Sequence, residues 1–329
     1  MDRREFIKRS GLTGASFAIG PIAKLSTRGT PNIGPGQNVP QLPLGPAQNC
    51  LWGAFAKPMQ QQNALESLLI LEAKVGRKFG LHRNYQGMDS DILTEDVDWL
   101  TSRGTACYRS FHAWLGDGKT PIPWAAIAAG EWDTWIKKQA SDLASWGKPM
   151  YITFHHEPEV APCGTPAQYK AAFIHVRSLF GAATKLTWLA TLLSPTYAGH
   201  NGGPATWLPP TLLFDVLGVD GYNRYPCEGR YSSFSKKFLL AMEYAGKINK
   251  PLAIGEWGSV EQNSCDHPEG DPLGKAKWID DSVSIMKQWD SLIWVSYTHE
   301  KSGPYTFWVD SSPSSLKSFV TGGYDPYFK

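Results

Sequence analysis

Between residues 49 and 329, short apolar β-like runs alternate with longer stretches of helical periodicity. This alternation predicts a single-domain α/β chain folded as a (β/α)8 TIM barrel. Two further observations favour the barrel. No Gly-rich phosphate loop follows the first run, as a doubly wound open sheet would want; Leu51-Trp52-Gly53-Ala54-Phe55 continues into Lys57-Pro58 instead. Two glutamates, Glu157 and Glu256, each stand at the C-terminal end of such a run, which is where a barrel keeps its chemistry.

The predicted strands, eight in all, are Leu51–Ala56, Lys78–Leu81, Ala106–Phe111, Pro149–His155, Leu186–Leu192, Val216–Asp220, Pro251–Gly255 and Leu292–Tyr297. Each is a short apolar run of strand length. Helical spacing links them. Asn63–Val75 carries Leu65, Leu68, Leu69 and Leu71; Asp91–Ser102 carries Leu93, Val97 and Leu100; Ala125–Trp146 carries Ile127, Trp135, Ile136 and Leu143. Thr165-Pro166 supplies a cap and a first-turn proline for a helix reaching about Phe180. Ser233–Ile248 and Leu273–Trp289 follow, and a short last helix is expected near Pro313–Phe319. The Pro- and Gly-rich stretch after Leu192 predicts a short or irregular fifth helix. By this count Glu157 closes strand four and Glu256 strand seven.

Composition narrows the function. A formal net charge of +2 implies no polyanionic partner, so no nucleic acid is expected. Fourteen Trp are more than core packing ordinarily needs, and flat indoles suit the apolar faces of sugar rings. Arg3-Arg4 followed by Phe6-Ile7-Lys8 and a mildly apolar run to Ala23 resembles a twin-arginine export signal over residues 1–25. Residues 26–48, rich in Gly, Pro, Asn, Gln and Thr, read as a flexible linker. The expected product is a secreted or periplasmic monomer without stable membrane insertion. Export permits disulfides. Of five cysteines, Cys107 is expected as a buried thiol and Cys227 with Cys265 as the preferred bridge. No Cys-x-x-Cys spacing suggests zinc, and neither a metal nor a cofactor is expected.

A carboxyl at the end of a buried strand is costly unless solvated, paired or used. Two carboxyls facing each other across a cleft are the minimum equipment for cleaving a glycosidic bond. Strand four ends His155-His156-Glu157, strand six Asp220-Gly221-Tyr222, and strand seven Gly255-Glu256-Trp257. Adjacent strand residues point to opposite faces, so His155 and His156 should not share a metal, and His155 is expected as a hydrogen-bonded core residue.

These motifs resemble glycoside hydrolase family 26, within the retaining clan of (β/α)8 barrels. That family contains endo-β-mannanases, with some β-1,3-xylanases and mixed-linkage glucanases. The resemblance implies Glu157 as acid/base and Glu256 as nucleophile. His156 would hold substrate or orient the Glu157 carboxyl, and Tyr222 would donate to Glu256. Asp220 is carried over from the same motif. It further implies a sugar-binding His112 and an aromatic platform at Trp114 on strand three, subsite residues from His82-Arg83-Asn84-Tyr85, and Trp257 beside the nucleophile. On strand eight, Trp294 would lie beneath the sugar, with Tyr297 as the alternative. The substrate would be a polysaccharide or oligosaccharide, β-mannan first, with β-1,3-xylan, mixed-linkage glucan or another envelope glycan as alternatives. A non-catalytic glycan-binding barrel is a further alternative. Where the family's mannanases tend to carry Met-Asn after the acid/base, this chain has Pro158-Glu159. Glu159 is expected in a loop, solvated or salt-bridged, with substrate binding as the alternative.

Overall fold

The computed structural model describes residues 50–57, 63–118, 120–160, 163–181, 185–225, 232–261 and 272–329. The segments read as export signal and linker lie outside these residues, as do Cys227 and Cys265.

The strands β1 (Leu51–Ala56), β2 (Leu81–Gly87), β3 (Ala106–His112), β4 (Met150–Phe154), β5 (Leu186–Leu193), β6 (Val216–Asn223), β7 (Leu252–Ser259) and β8 (Leu292–His299) close into one parallel barrel in sequence order. β1 pairs with β8 from Leu51↔Trp294 to Ala56↔His299, which seals the cylinder. The intervening helices are α1 (Ala64–Val75), α2 (Glu95–Ser102), α3 (Trp124–Ala128), α4 (Asp133–Trp146), α5 (Pro166–Phe180), the short α6 (Ser194–Tyr197) and α7 (Pro204–Trp207), then α8 (Phe234–Lys247), α9 (Pro272–Met286) and α10 (Pro313–Gly323). A two-stranded hairpin, β9 (Lys301–Ser302) with β10 (Tyr305–Thr306), follows β8.

Local chemistry fixes the helix ends. Asn63 with Glu66, and Thr165 with Gln168, form capping boxes at α1 and α5. Gly76 and Gly147 stop α1 and α4 in left-handed conformation, where a side chain would be strained. The expected single helix over Ala125–Trp146 is two, α3 and α4, because Gly130 at φ 90° breaks it.

Period-two alternation divides the strands between two cores. Outward residues such as Trp52, Phe111, Ile152, Trp188, Val219, Ile254 and Tyr297 pack beneath the helices. Inward residues Leu81, Tyr108, Tyr151, Leu189, Val216, Ala253 and Trp294 fill the lower barrel. Above that floor the interior turns polar.

The second strand departs most from expectation, since it starts at Leu81 rather than ending there. Its body, His82-Arg83-Asn84-Tyr85-Gln86, carries no apolar run because one face lines the polar upper barrel and the other carries His82 near Asp96 and Gln86 bonded to the Asp91 carbonyl. Strands β6, β7 and β8 likewise continue past their apolar runs into the residues described next. Cys107 is a buried free thiol, as expected.

Candidate active site

Glu157 and Glu256 both lie inside the upper barrel, 2% and 1% exposed. One oxygen of each, together with one ligand atom of His156 and of Asp220, forms a group whose members all lie within 4.8 Å of one another.

Two backbone irregularities bring the carboxyls in. On β4, strict alternation after Thr153 would turn His155 inward and His156 outward. His155 instead adopts φ 48° and Glu157 φ 53°, a left-handed pair rare for such side chains. The switch sends His155 out, where its Nδ1 lies 3.2 Å from both Trp124 Nε1 and the Ala113 amide. His156 and Glu157 then face the barrel centre. His155 is thus the hydrogen-bonded core residue that was expected. On β7, the register against β6 slips by one residue between Val219↔Ile254 and Asp220↔Glu256. The bulge turns Glu256 inward directly after Gly255. A Cβ on Gly255 would stand 2.4 Å from both Arg83 Nη1 and Asp220 Oδ1, so only glycine fits.

Glu256 is held on several sides. Tyr85 donates to Oε1 at 2.8 Å, Tyr222 donates to Oε2, and Arg83 Nη2 lies 3.2 Å from Oε1. His156 Nε2 sits 3.4 Å from the same Oε1, while its Nδ1 meets Ser110 Oγ at 2.6 Å. The Thr298 hydroxyl on β8 lies 3.1 Å from the Tyr222 oxygen, in place to donate to it. Arg83 is fully buried, bidentate to Asp220 at 3.1 and 3.2 Å, and stacked on the rings of Tyr85 and Tyr108 at 4.7 and 4.9 Å. Burial opposes the guanidinium charge, but Asp220, Tyr85 and Glu256 outweigh it and hold its pKa above the usual range. Burial likewise drives the Tyr85 hydroxyl up, so it remains a donor. The spacing of His156, Glu157, Asp220 and Glu256 resembles a cation site, yet Arg83 already places a fixed positive charge against two of those carboxylates.

Several sequence expectations need correction. His82 is 1% exposed and faces α2, not the cleft; burial, then Arg109, lower its pKa to about 3. Its neighbours Arg83 and Tyr85 take the inward places. Asp220 is fully buried and bidentate to Arg83, with one oxygen in the same group as Glu157 and Glu256. Trp257 points outward, packed against Trp52, Trp278 and Tyr297, because the residue after an inward Glu256 must face the helices. Trp294 lies in the barrel floor against Tyr108 and Tyr151, and Tyr297 faces outward as well. His156 lies against Glu256, with an atom of its ring also within 4.8 Å of a Glu157 oxygen. Glu159 is not solvated: it is 9% exposed, and its Oε1 accepts from the Leu193 amide at 2.6 Å and Thr196 Oγ1 at 2.8 Å.

His112 is half-buried at the end of β3, with its ring 4.4 Å from that of His156 and 6.2 Å from that of Tyr85. Trp114 is half-buried just beyond β3, bridged to Pro121. Sequence reasoning offered Arg83 and Tyr85 only as subsite residues and missed their hold on Glu256, as it missed the parts of Thr298 and Gly255. Counted from Leu81 in the barrel floor, the alternation of β2 assigns Arg83 and Tyr85 to the interior.

Three solved structures are similar over nearly the whole described chain. The catalytic domain of a Bacillus sp. JAMB-750 family 26 endo-β-1,4-mannanase matches with TM-score 0.59 at 13% identity, over 85% of this chain and 87% of that one. A modular Cellulomonas fimi endo-β-1,4-mannanase matches with TM-score 0.60 at 14% identity, over 86% and 72%. A β-mannanase from a protist symbiont of the termite Reticulitermes speratus matches with TM-score 0.57 at 14% identity, over 86% and 89%. The chain shares the fold of the family 26 mannanases. Among curated proteins, Endoglucanase H of Acetivibrio thermocellus is 24% identical over 81% of this chain. The chain spans only 29% of that protein's length. No protein-family model matches. No helix among the described residues is long and apolar enough to cross a membrane.

Proposed function

We propose that this barrel is a retaining endo-β-glycoside hydrolase acting on a β-linked polysaccharide, with Glu157 as acid/base and Glu256 as nucleophile. The observation that carries the proposal is the pair of buried carboxylates with oxygens within 4.8 Å. Retaining glycosidases hold their carboxyls about 5–5.5 Å apart, whereas inverting enzymes leave room for a water at roughly 6.5–9.5 Å.

The surroundings divide the roles. Glu256, fixed by Arg83, Tyr85 and Tyr222, is held ionised and aimed at an anomeric carbon. Glu157 stands opposite that anion, its oxygen within 4.8 Å of a Glu256 oxygen, an arrangement that favours the protonated form a general acid needs. Glu157 gives its proton to the glycosidic oxygen while Glu256 attacks the anomeric carbon, forming a glycosyl-enzyme. Glu157, now ionised, takes a proton from water, whose oxygen displaces Glu256 and releases the sugar with its configuration retained.

β-Mannan is the first substrate, on the likeness to three mannanases. A second reading, β-glucan, rests on the curated relative, an endoglucanase with higher identity than any of those three structures. Reducing-sugar release from mannan, glucomannan, lichenan and β-1,3-xylan separates the substrates. Glu157→Ala and Glu256→Ala should each lose polysaccharide hydrolysis while remaining folded. External azide should rescue an activated aryl glycoside with retained product in the first variant and inverted product in the second. Near-normal polymer hydrolysis by either variant overturns the assignment. Export of the mature enzyme by the twin-arginine route belongs to the same proposal, on the strength of Arg3-Arg4 and the run that follows.

A further inference from the structure

The acid/base candidate sits beyond the point where regular pairing between β4 and β5 stops. The β4–β5 ladder ends at Ile152↔Trp188, and the chain then enters the left-handed turn at His155 and Glu157. Beyond that point a different set of bonds joins this segment to β5. Thr153 Oγ1 donates to Leu189 O at 2.8 Å, and the Glu157 amide donates to Thr191 O at 2.9 Å. Two residues further along β5, where a ladder would next place a backbone carbonyl opposite the Leu193 amide, Glu159 Oε1 accepts that amide at 2.6 Å. The same oxygen takes the fully buried hydroxyl of Thr196 on α6 at 2.8 Å. The turn is closed by the Val160 amide on Glu157 O at 3.2 Å, so Glu157 and Glu159 move as one unit.

We propose that Glu159 is a positioning residue for Glu157: its carboxyl replaces the missing ladder carbonyl and locks the Glu157–Val160 turn onto β5 and α6. The proposal rests on Glu157 being the acid/base, and it accounts for a Glu two residues after it in a buried loop. A residue in left-handed backbone persists only where its surroundings over-determine it. Without the clamp, the turn relaxes and the Glu157 carboxyl swings away from the glycosidic oxygen. Glu256, fixed by β2 and β6, stays in place. The loss therefore falls on proton donation and not on nucleophilic attack.

Leaving-group dependence separates those two steps. The probes are phenyl and 2,4-dinitrophenyl β-mannobiosides and β-cellobiosides, with kcat/KM reporting the first step. Phenolate leaves only with a proton; dinitrophenolate leaves without one. Glu159→Ala should lower kcat/KM on the phenyl glycoside by about a hundredfold, the lower end of general-acid contributions, and on the dinitrophenyl glycoside by only about threefold. Glu159→Gln, which keeps the accepting oxygen, should recover most of the phenyl-glycoside rate. If Glu159→Ala does not fold, Glu159→Asp takes its place with the same expected split, since it keeps the charge but is one methylene too short for the Leu193 amide. Equal loss on both leaving groups, no loss on the phenyl glycoside, or a Gln variant as impaired as Ala overturns the positioning role. If the wild-type protein turns over neither probe nor any polysaccharide, the glycosidase reading itself fails and the proposal falls with it.

Discussion

Arg83 offers the sharpest test of how the site is held. Its guanidinium is fully buried and neutralises Asp220 through two bonds at 3.1 and 3.2 Å, with a further contact to Glu256 at 3.2 Å. Arg83→Met keeps much of the volume and removes the charge. Glu256 retains Tyr85 and Tyr222, so the orphaned charge is chiefly Asp220, which is 0% exposed. Breaking one partner of a buried pair costs about 3–5 kcal/mol, because the remaining ion is desolvated without compensation. For a domain of this size that corresponds to a fall in Tm on the order of 10 °C. Replacing both partners, Arg83→Met with Asp220→Leu, removes the orphan, so the double variant should be more stable than Arg83→Met alone. Urea unfolding at pH 7 of wild type, both single variants and the double variant gives the coupling, expected at roughly 2–3 kcal/mol. A cost below about 1 kcal/mol for Arg83→Met, or additive single variants, would refute the charge-compensation reasoning.

Three more outcomes are expected. Gly255→Ala places a Cβ 2.4 Å from Arg83 and Asp220, which cannot yield because both are pinned; thermal unfolding should show a loss of about 1–3 kcal/mol, with kcat falling alongside. Burial raises the Glu159 carboxyl from 4.5 to about 7, against the hydrogen bonds from Leu193 and Thr196 that lower it. Its ionisation therefore costs no stability below pH 4.5, costs progressively more between pH 4.5 and 7, and costs most above pH 7. Glu159→Gln should match wild type in acid and exceed it at pH 8, by at most roughly 3 kcal/mol in chemical denaturation; a gain confined to acid would contradict the sign. Trp294→Phe and Trp257→Phe should lower Tm while leaving KM for polysaccharide unchanged, since both indoles are fully buried away from the cleft; a selective rise in KM would restore them as sugar platforms.

The sequence made the barrel legible wherever a strand is buried on both faces. Strands β1, β3 and β5 show as apolar runs because helices cover one side and the barrel floor the other. The same signal fades at the upper ends of β2, β6, β7 and β8, where the inward face holds Arg83, Tyr85, Asp220, Tyr222, Glu256 and Thr298. A strand whose interior is a polar site looks like a loop, which is why β2 was expected to end where it begins. The aromatic expectations failed for a related reason. Trp is abundant here mainly because two concentric cores need large side chains, and neither Trp257 nor Trp294 reaches the cleft.

The chain's own order of residues determined the eight-fold alternation, the two strand-end glutamates and the tyrosine two residues beyond Asp220. Those features follow from local periodicity and need no knowledge of distant contacts. Only the tertiary structure decided which residues at each strand end face inward. That depends on a left-handed His155, a bulge after Gly255 and the register of β2, each shifting a side chain to the opposite face by one residue. It also decided that Arg83 stands beneath Glu256 and that Glu159 is clamped to β5. Such placements are set by partners far away in the chain, and spacing along the sequence carries no record of them.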